Sequence, residues 1–462
     1  MVTDMTRGNP RTIILKFAFP MLVGNLFQQL YNIVDSVVVG RFIGKDALAA
    51  VGSSFMLMNF FSFVIIGLCM GASVVYSYYF GEKNFSNLRK TIFISFLSIG
   101  IFTAILSIIL VSKTEQMLIL INTPESIFTD SQIYLQVIFG GLLFIFLYNA
   151  CSALLRSIGD SKTPLYFLIL AASSNVILDL LFVIVFDMGV FGVALATIIA
   201  QAVSSVLCLV YGFAKIPLIR LTREDLVFDK EIALTVGKYS FLTSIQQSIM
   251  TFGMVCVQGI VNNFGPDTIA AFTVAGKIDS IAYLPVQDFG NAFSTYVAQN
   301  KGAKHTTRIL EGIKSVSRTI LLFCLVLSVL IFTSSGQLMK IFVHVNETNV
   351  IRIGVEYLSV ISVFYTLIGF LFMFYGFFRG IGELNISLFL TIVSLGTRVF
   401  MAYILSSIPK IGQRGIWWSV PIGWALADLI AFIIYRRLKK RQLVKEAPDN
   451  PDYLLSTINT HK

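Results

Sequence analysis

Long apolar runs dominate the pattern of this chain. Twelve of them, near 13–40, 54–80, 91–112, 133–155, 163–186, 190–213, 239–263, 272–299, 315–338, 355–378, 385–408 and 415–436, approach or exceed the roughly 20 residues a helix needs to cross about 30 Å of hydrocarbon. They predict an all-α integral membrane protein with twelve transmembrane helices. Polar positions inside the runs are few and fall at helical spacing. The first span carries Asn25, Gln28 and Gln29, Asn32, and Asp35 with Ser36; the fifth carries Asn175 and Asp179; the sixth carries Thr197, Gln201, Ser204 and Ser205. Spacings of three and four put each set on one helix face. In lipid such a face must meet protein or water.

The pattern is also written twice. Gly44–Val51 (GKDALAAV) returns as Gly265–Phe272 (GPDTIAAF) at an offset of 221, which also pairs Ser73 with Ser294 and Gly81 with Gly302. At an offset of 223, Tyr134 meets Tyr357, Arg156 meets Arg379, Gly159 meets Gly382, Asp160 meets Glu383 and Gly192 meets Gly415. An internal repeat of this length is an architectural signature. Each half holds six spans, so both enter from the same side, giving two six-helix lobes related by a parallel internal repeat. The expected units are 1–213 for the amino-terminal lobe, 214–238 for a charged interlobe loop, 239–436 for the carboxyl-terminal lobe and 437–462 for a tail. Asp35 and Asp179 project onto Cys256 and Ala402, and Asn175 onto Arg398. The scaffold repeats; the charge does not.

Composition supports the membrane assignment: 56% of residues are hydrophobic and 13% charged, with mean hydropathy +0.80, against about 25% charged in soluble domains. Most of the 35 lysines and arginines flank the spans on the side of the N-terminus. The positive-inside rule then puts both termini in the cytoplasm of a multi-pass cell-membrane protein. The net charge of +10 thereby reads as topology, and nucleic acid is not an expected partner. Five cysteines sit in apolar spans without a C-x-x-C, and His305, His344 and His461 are far apart, so neither a metal site nor a cofactor is expected. Asp-rich or His/Asp motifs of a membrane transferase are absent, and Gly159–Thr163 lacks P-loop spacing. The chain does not read as an enzyme.

Two aspartates inside lipid are the sharpest chemical signal. At 1.5 Å per residue, Asp35 lies roughly 8 Å, and Asp179 and Thr197 roughly 10 Å, from the outer ends of their helices. A carboxylate there costs about 2.5 to 3.5 kcal/mol on insertion scales. It must be neutralised by a shared proton, a bound cation or a fixed basic partner. No base is predicted within the first half's spans after Lys16, and Asp35, Asn175, Asp179 and Thr197 offer oxygen donors suited to H⁺ or Na⁺. Asn25, Gln29, Asn32 and Gln201 are candidates for a cation or substrate pathway, or for interhelical hydrogen bonding alone. In the second half, Lys277 and Arg398 are the only bases predicted inside spans. Gln247, Asp279, Asp288 and Arg398 are candidates for substrate binding; Arg398 is equally able to form a static pair with Asp279 or Asp288. Asp288, near midspan, is placed to meet a cationic substrate.

Phe17–Gly52, the LLRSIGDSKTPL turn (Leu154–Leu165), SNVILDLLFV (Ser174–Val183) and GVFGVALAT (Gly189–Thr197) together resemble the multidrug and toxic compound extrusion (MATE) family over nearly the whole chain, and its DinF-type branch in particular. The resemblance implies a cation-coupled antiporter, working as a monomer by alternating access on small amphipathic, cationic drugs. It also implies that Asp35, Asn175, Asp179 and Thr197 bind the coupling ion. A flippase for lipid-linked saccharide shares the broader fold and is the alternative; it would favour a strongly basic cavity.

Overall fold

The computed structural model describes residues 3–446, so His461 and the end of the expected tail lie outside the described residues. Among the described residues there are fourteen α-helices and no strand. The amino-terminal half comprises α1 (Pro10–Val38), α2 (Lys45–Glu82), α3 (Phe85–Leu120), α4 (Glu125–Gly140), α5 (Leu142–Ser157), α6 (Lys162–Leu180) and α7 (Gly189–Lys215). The carboxyl-terminal half repeats them as α8 (Lys230–Val261), α9 (Pro266–Gly302), α10 (Thr306–Phe342), α11 (Thr348–Val363), α12 (Tyr365–Gly380), α13 (Leu384–Ser406) and α14 (Arg414–Glu446). Ten helices are long and apolar enough to cross a membrane, and two bent pairs, α4 with α5 (47°) and α11 with α12 (54°), each make one more span.

The repeat extends to backbone conformation. Left-handed residues recur in register: Lys83 (φ 60°) and Lys304 (59°), Gly159 (87°) and Gly382 (81°), Gly189 (55°) and Gly412 (54°). Both breaks fall at one register position, Gly141 and Phe364. At the first, a Cβ on Gly141 would lie 2.2 Å from the Ile198 side chain, so only glycine lets α7 approach. Ser107 Oγ donates to the Phe139 carbonyl beside the bend (2.6 Å), giving a partner to a group that lipid could not satisfy. The P-loop-like turn is a helix start, where Asp160 accepts from the backbone N–H groups of Lys162 (3.2 Å) and Thr163 (3.1 Å).

The lobes meet at the end of the bundle that carries the N-terminus. There α2 crosses α9 so closely that a Cβ on Gly81 would lie 1.9 Å from the Gln299 carbonyl, and one on Gly302 would lie 2.0 Å from that of Tyr78. These two contacts are symmetry mates under the repeat. Gln299 also accepts from the Met5 N–H (3.0 Å) and donates to the Ser157 carbonyl (2.7 Å), tying the tail and both halves together. Two helices straddle the lobes. Ile14, Phe17, Ala18 and Met21 of α1 belong to the core of the carboxyl-terminal half, while Ile232 and Val236 of α8 belong to the core of the amino-terminal half. Farther along α1, residues 26–30 are all exposed. Five consecutive residues cover every face of a helix, so this stretch borders an opening as well as lipid.

Candidate functional site

α1 and α6 leave regular α geometry at corresponding points. Just beyond Asp35, α1 continues as a π turn at Val39–Ile43; just beyond Asp179, α6 does the same at Leu181–Val185. The two turns touch. π turns widen a helix by one residue and recur at functional sites. In the carboxyl-terminal half the register mate of the first is the 3-10 turn Asn262–Phe264, so this π turn belongs to the half that holds the Asp35–Asp179 pair.

The structure brings Asp35, Asn175, Asp179 and Thr197 together. Asp179 is fully buried, Asn175 is 2% exposed, and Asp35 and Thr197 are half-buried. The Asp35 and Asp179 carboxyl groups are within hydrogen-bonding reach of each other. With its nitrogen toward the carboxylate, the Asn175 amide donates to Asp179 Oδ2 (3.3 Å) and accepts from the Thr197 N–H (3.3 Å); turned over, it donates to Thr197 Oγ1 (3.3 Å). One oxygen of each acid, Oδ1 of Asp35 and of Asp179, is buried without a hydrogen-bond partner. Two carboxylates accept but do not donate, so the gap between them calls for a positive charge. Tyr31 and Tyr134 stand within electrostatic reach of both acids, and Tyr134 Oη donates to Met58 Sδ (3.8 Å). Sequence reasoning missed these tyrosines; the pairing of Tyr134 with Tyr357 was the signal that could have found one.

The other polar candidates are dispersed. Asn32 is half-buried, its carbonyl accepting from Ser36 Oγ (2.9 Å); Gln29 is exposed; Gln201 has Oε1 buried without a partner. Asn25 does not join the acids. Its Nδ2 donates to Asp288 Oδ2 of α9 (2.6 Å), a bond between the halves, and the Arg156 guanidinium of α5 lies near the same carboxylate. Asp288, 4% exposed, is therefore engaged by neighbours of its own chain, and a static pair with Arg398 does not form. Asp279 faces Tyr365 and Arg398, yet among the described residues Arg398 makes no ion pair within 4.0 Å, and Asp279 Oδ1 and Arg398 Nε are buried without partners. Gln247 lines a small niche with Arg379.

Lys277, expected inside a span, is exposed, whereas two further bases lie inside the bundle. Arg156 and Arg379 sit in the last turns of α5 and α12, where Cα–Cβ bonds tilt toward the helix N-terminus; both side chains run back into the protein instead of out to the loop. Among the described residues, no group of three His, Cys, Asp or Glu is placed to hold a metal ion, and all five cysteines are unpaired.

Comparison with known proteins agrees with this architecture. The MatE family profile matches residues 20–181 and 240–404, one match in each half. The chain is 30% identical to the probable multidrug resistance protein YpnP of Bacillus subtilis, covering 96% of this chain and 99% of that one. It is 27% identical to the probable multidrug resistance protein NorM of Thermotoga maritima over 93% of this chain and 91% of the relative. Its fold matches the outward-facing conformation of a multidrug resistance MATE family transporter of the MOP superfamily with a TM-score of 0.89 at 24% identity, over 95% of this chain and 98% of that one. The chain belongs to the MatE family of multi-pass membrane transporters.

Proposed function

We propose that this protein is a cation-coupled antiporter that exports amphipathic small molecules by alternating access, with H⁺ or Na⁺ taken up between Asp35 and Asp179. One observation carries the reading: two carboxylates face each other inside the bundle, each with an oxygen that no group among the described residues satisfies. A proton or a small hard cation fills that need, and Asn175 and Thr197 supply further oxygens. The names of the relatives support drug export as the task.

The route from ion to motion runs through α1. Its far end holds Asp35, its middle bonds Asp288 through Asn25, and its first turns are packed in the carboxyl-terminal core. A change of charge at Asp35 alters how tightly α1 is held against α6 and α7, and α1 passes that change to the other half. The lobes touch at the N-terminal end and α1 is bare over residues 26–30, so in this reading the state opens away from the N-terminus. With both termini in the cytoplasm of the cell membrane, that opening is outward, and cation uptake there accompanies substrate release. The chain works as a monomer in this reading.

Ethidium efflux from proteoliposomes tests the proposal, with wild type set against Asp35→Asn and Asp179→Asn under a proton gradient and then a sodium gradient. Loss of driven efflux in both variants is expected, and the gradient that drives wild type names the ion. Undiminished efflux in both would refute the assignment. The flippase alternative gains one point, since Arg156 and Arg379 make the interior of the bundle more basic than the sequence indicated; transport of a lipid-linked saccharide with no ethidium efflux would favour it.

A further inference from the structure

Arg379 is 6% exposed. Its Nη2 donates to Asn291 Oδ1 (2.8 Å) and its Nε to Ser294 Oγ (3.2 Å), both on α9. Both partners are neutral, and among the described residues no carboxylate lies within ion-pair distance of the guanidinium. Burying a charge without a counter-charge is costly. Its repeat mate Arg156 differs at this point, because Asp288 lies near it. The same structural position thus holds a compensated cation in one half and an uncompensated one in the other.

A guanidinium carries five N–H donors, so the two bonds to α9 leave three. Arg379 borders a niche of about 10 Å³, lined also by Gln247, Gln287 and Asn291 and by the rings of Phe372 and Tyr375. That volume admits one water-sized group. One turn back along α9 is Asp288, whose bond to Asn25 marks the seam between the halves. The niche is therefore built by α8, α9 and α12 of the carboxyl-terminal half and lies about one turn of α9 from the seam.

We propose that this niche anchors the acidic group of an amphipathic ligand: one carboxylate or phosphate oxygen enters it on the free donors of Arg379, with the Gln247 and Gln287 amides beside it, and the rest of the ligand stays outside. An acidic oxygen on a guanidinium is a charge-assisted contact, among the strongest a polar site offers. The inference rests on the proposed function, with the seam between the halves as the transport path, and it widens the substrate class from cations to molecules that bear an acid. Asp288, the residue expected to select cations, is already engaged by Asn25.

Fluorescence anisotropy of fluorescein, an amphipathic anion, and of ethidium, an amphipathic cation, binding to the full chain in phosphatidylcholine nanodiscs tests this without any ion gradient. Arg379→Gln is expected to weaken fluorescein binding by about tenfold or more, the size expected for a hydrogen bond to a charged group, while ethidium binding is unchanged. Arg379→Lys, which keeps the charge, is expected to retain most of the fluorescein affinity. Equal fluorescein affinity in wild type and Arg379→Gln would overturn the proposal. So would parallel loss of both probes in both variants, which would mean that Arg379 only holds α12 to α9. Repeating the titration with phosphatidylglycerol in the discs identifies the source: competition by the lipid assigns the niche to a phosphate headgroup, and no competition assigns it to a soluble amphipathic acid. Failure of the coupling reading would appear separately, as undiminished efflux by Asp35→Asn and Asp179→Asn.

Discussion

The two lobes share a backbone and oppose each other in chemistry. Left-handed residues, helix breaks and the glycine crossings of α2 and α9 repeat in register. Yet the first lobe buries two acids without a base between them, whereas the second puts Arg398 at the position of Asn175 and, among the described residues, leaves Arg379 without an acid in ion-pair distance. The repeat preserves what the bilayer and the pseudo-symmetric packing demand: bends that leave no bare backbone polar groups and glycines where helices cross. It leaves the buried charges free to diverge, because each is a local matter of partner and solvation. In the proposed scheme one lobe answers an ion while the other offers a fixed charge, with α1 and α8 joining them.

The largest effect should come from breaking that asymmetry at its source. Asp179→Asn or Asp35→Asn is expected to lower gradient-driven efflux by between about 5- and 150-fold, the usual span of a coupling free energy between sites. Asp279→Asn, in the other lobe, is expected to leave the coupling ratio unchanged. Measuring both in one liposome preparation decides whether coupling belongs to a single lobe; equal losses would show that it does not.

The closure point is shared by both lobes, and its perturbation should rank next. Gly81→Val places its Cβ where the Gln299 carbonyl stands, 1.9 Å away, and backbone cannot give way as a side-chain tip can. An overpacking cost of about 1–3 kcal/mol is expected, read as a lower thermal midpoint and as greater accessibility of a cysteine introduced at Ser157. Gly52→Ala, where an added Cβ meets nothing within 4 Å, is the control and should leave both readings unchanged.

The sequence carried the lobes and the acids to different depths. Span number, repeat and the stripe from Asn25 to Asp35 were legible because lipid permits few polar residues and makes each conspicuous. The bends at Gly141 and Phe364 were not, since neither break carries a proline and a hydropathy window averages over a kink. Arg156 and Arg379 counted as loop charges because they end their helices; the tilt of their side chains, which no composition records, turns them inward. Asn25 shares a helical stripe with Asp35, but about ten residues of helix put roughly 15 Å between them, enough to place Asp35 beside Asp179 and Asn25 on Asp288. The exchange of α1 and α8 between cores was likewise hidden, since an apolar face does not specify which apolar surface it meets.

A seam bond should show a smaller effect than either change above. Asn25→Ala removes the donor to Asp288 and leaves a buried carboxylate short of a partner, at a cost of about 1–3 kcal/mol. Because the bond joins α1 to α9, its loss is expected to reduce efflux under a given gradient while Asp35 and Asp179 still respond to the ion. Asp288→Asn combined with Asn25→Ala should recover part of the thermal stability, since the unpaired charge is then gone; no recovery would mean that Arg156 dominates the environment of Asp288.

The smallest expected effect concerns the tether between the lobes, which has no counterpart within either repeat. In the interlobe loop, Asp225 accepts from the Thr222 N–H (2.8 Å) and hydroxyl (2.7 Å) and from Arg89 Nε of α3 (2.8 Å). Burial pushes its carboxyl up, but the Thr222 bonds and the Arg89 charge outweigh that and hold it below the usual carboxylate range. The sign follows from linkage: a depressed folded-state value means stability fully present above the unfolded value of about 3.9 and lost as pH falls through the lower, folded one. The thermal midpoint of wild type should therefore exceed that of Asp225→Asn at neutral pH, and the gap should narrow as pH drops below about 4. Ethidium efflux at neutral pH should change little in this variant. If the gap instead widened on acidification, the Asp225 carboxylate would be less well stabilised in the native state than in the unfolded chain, and its bonds to Thr222 and Arg89 could not be what fastens the loop to α3.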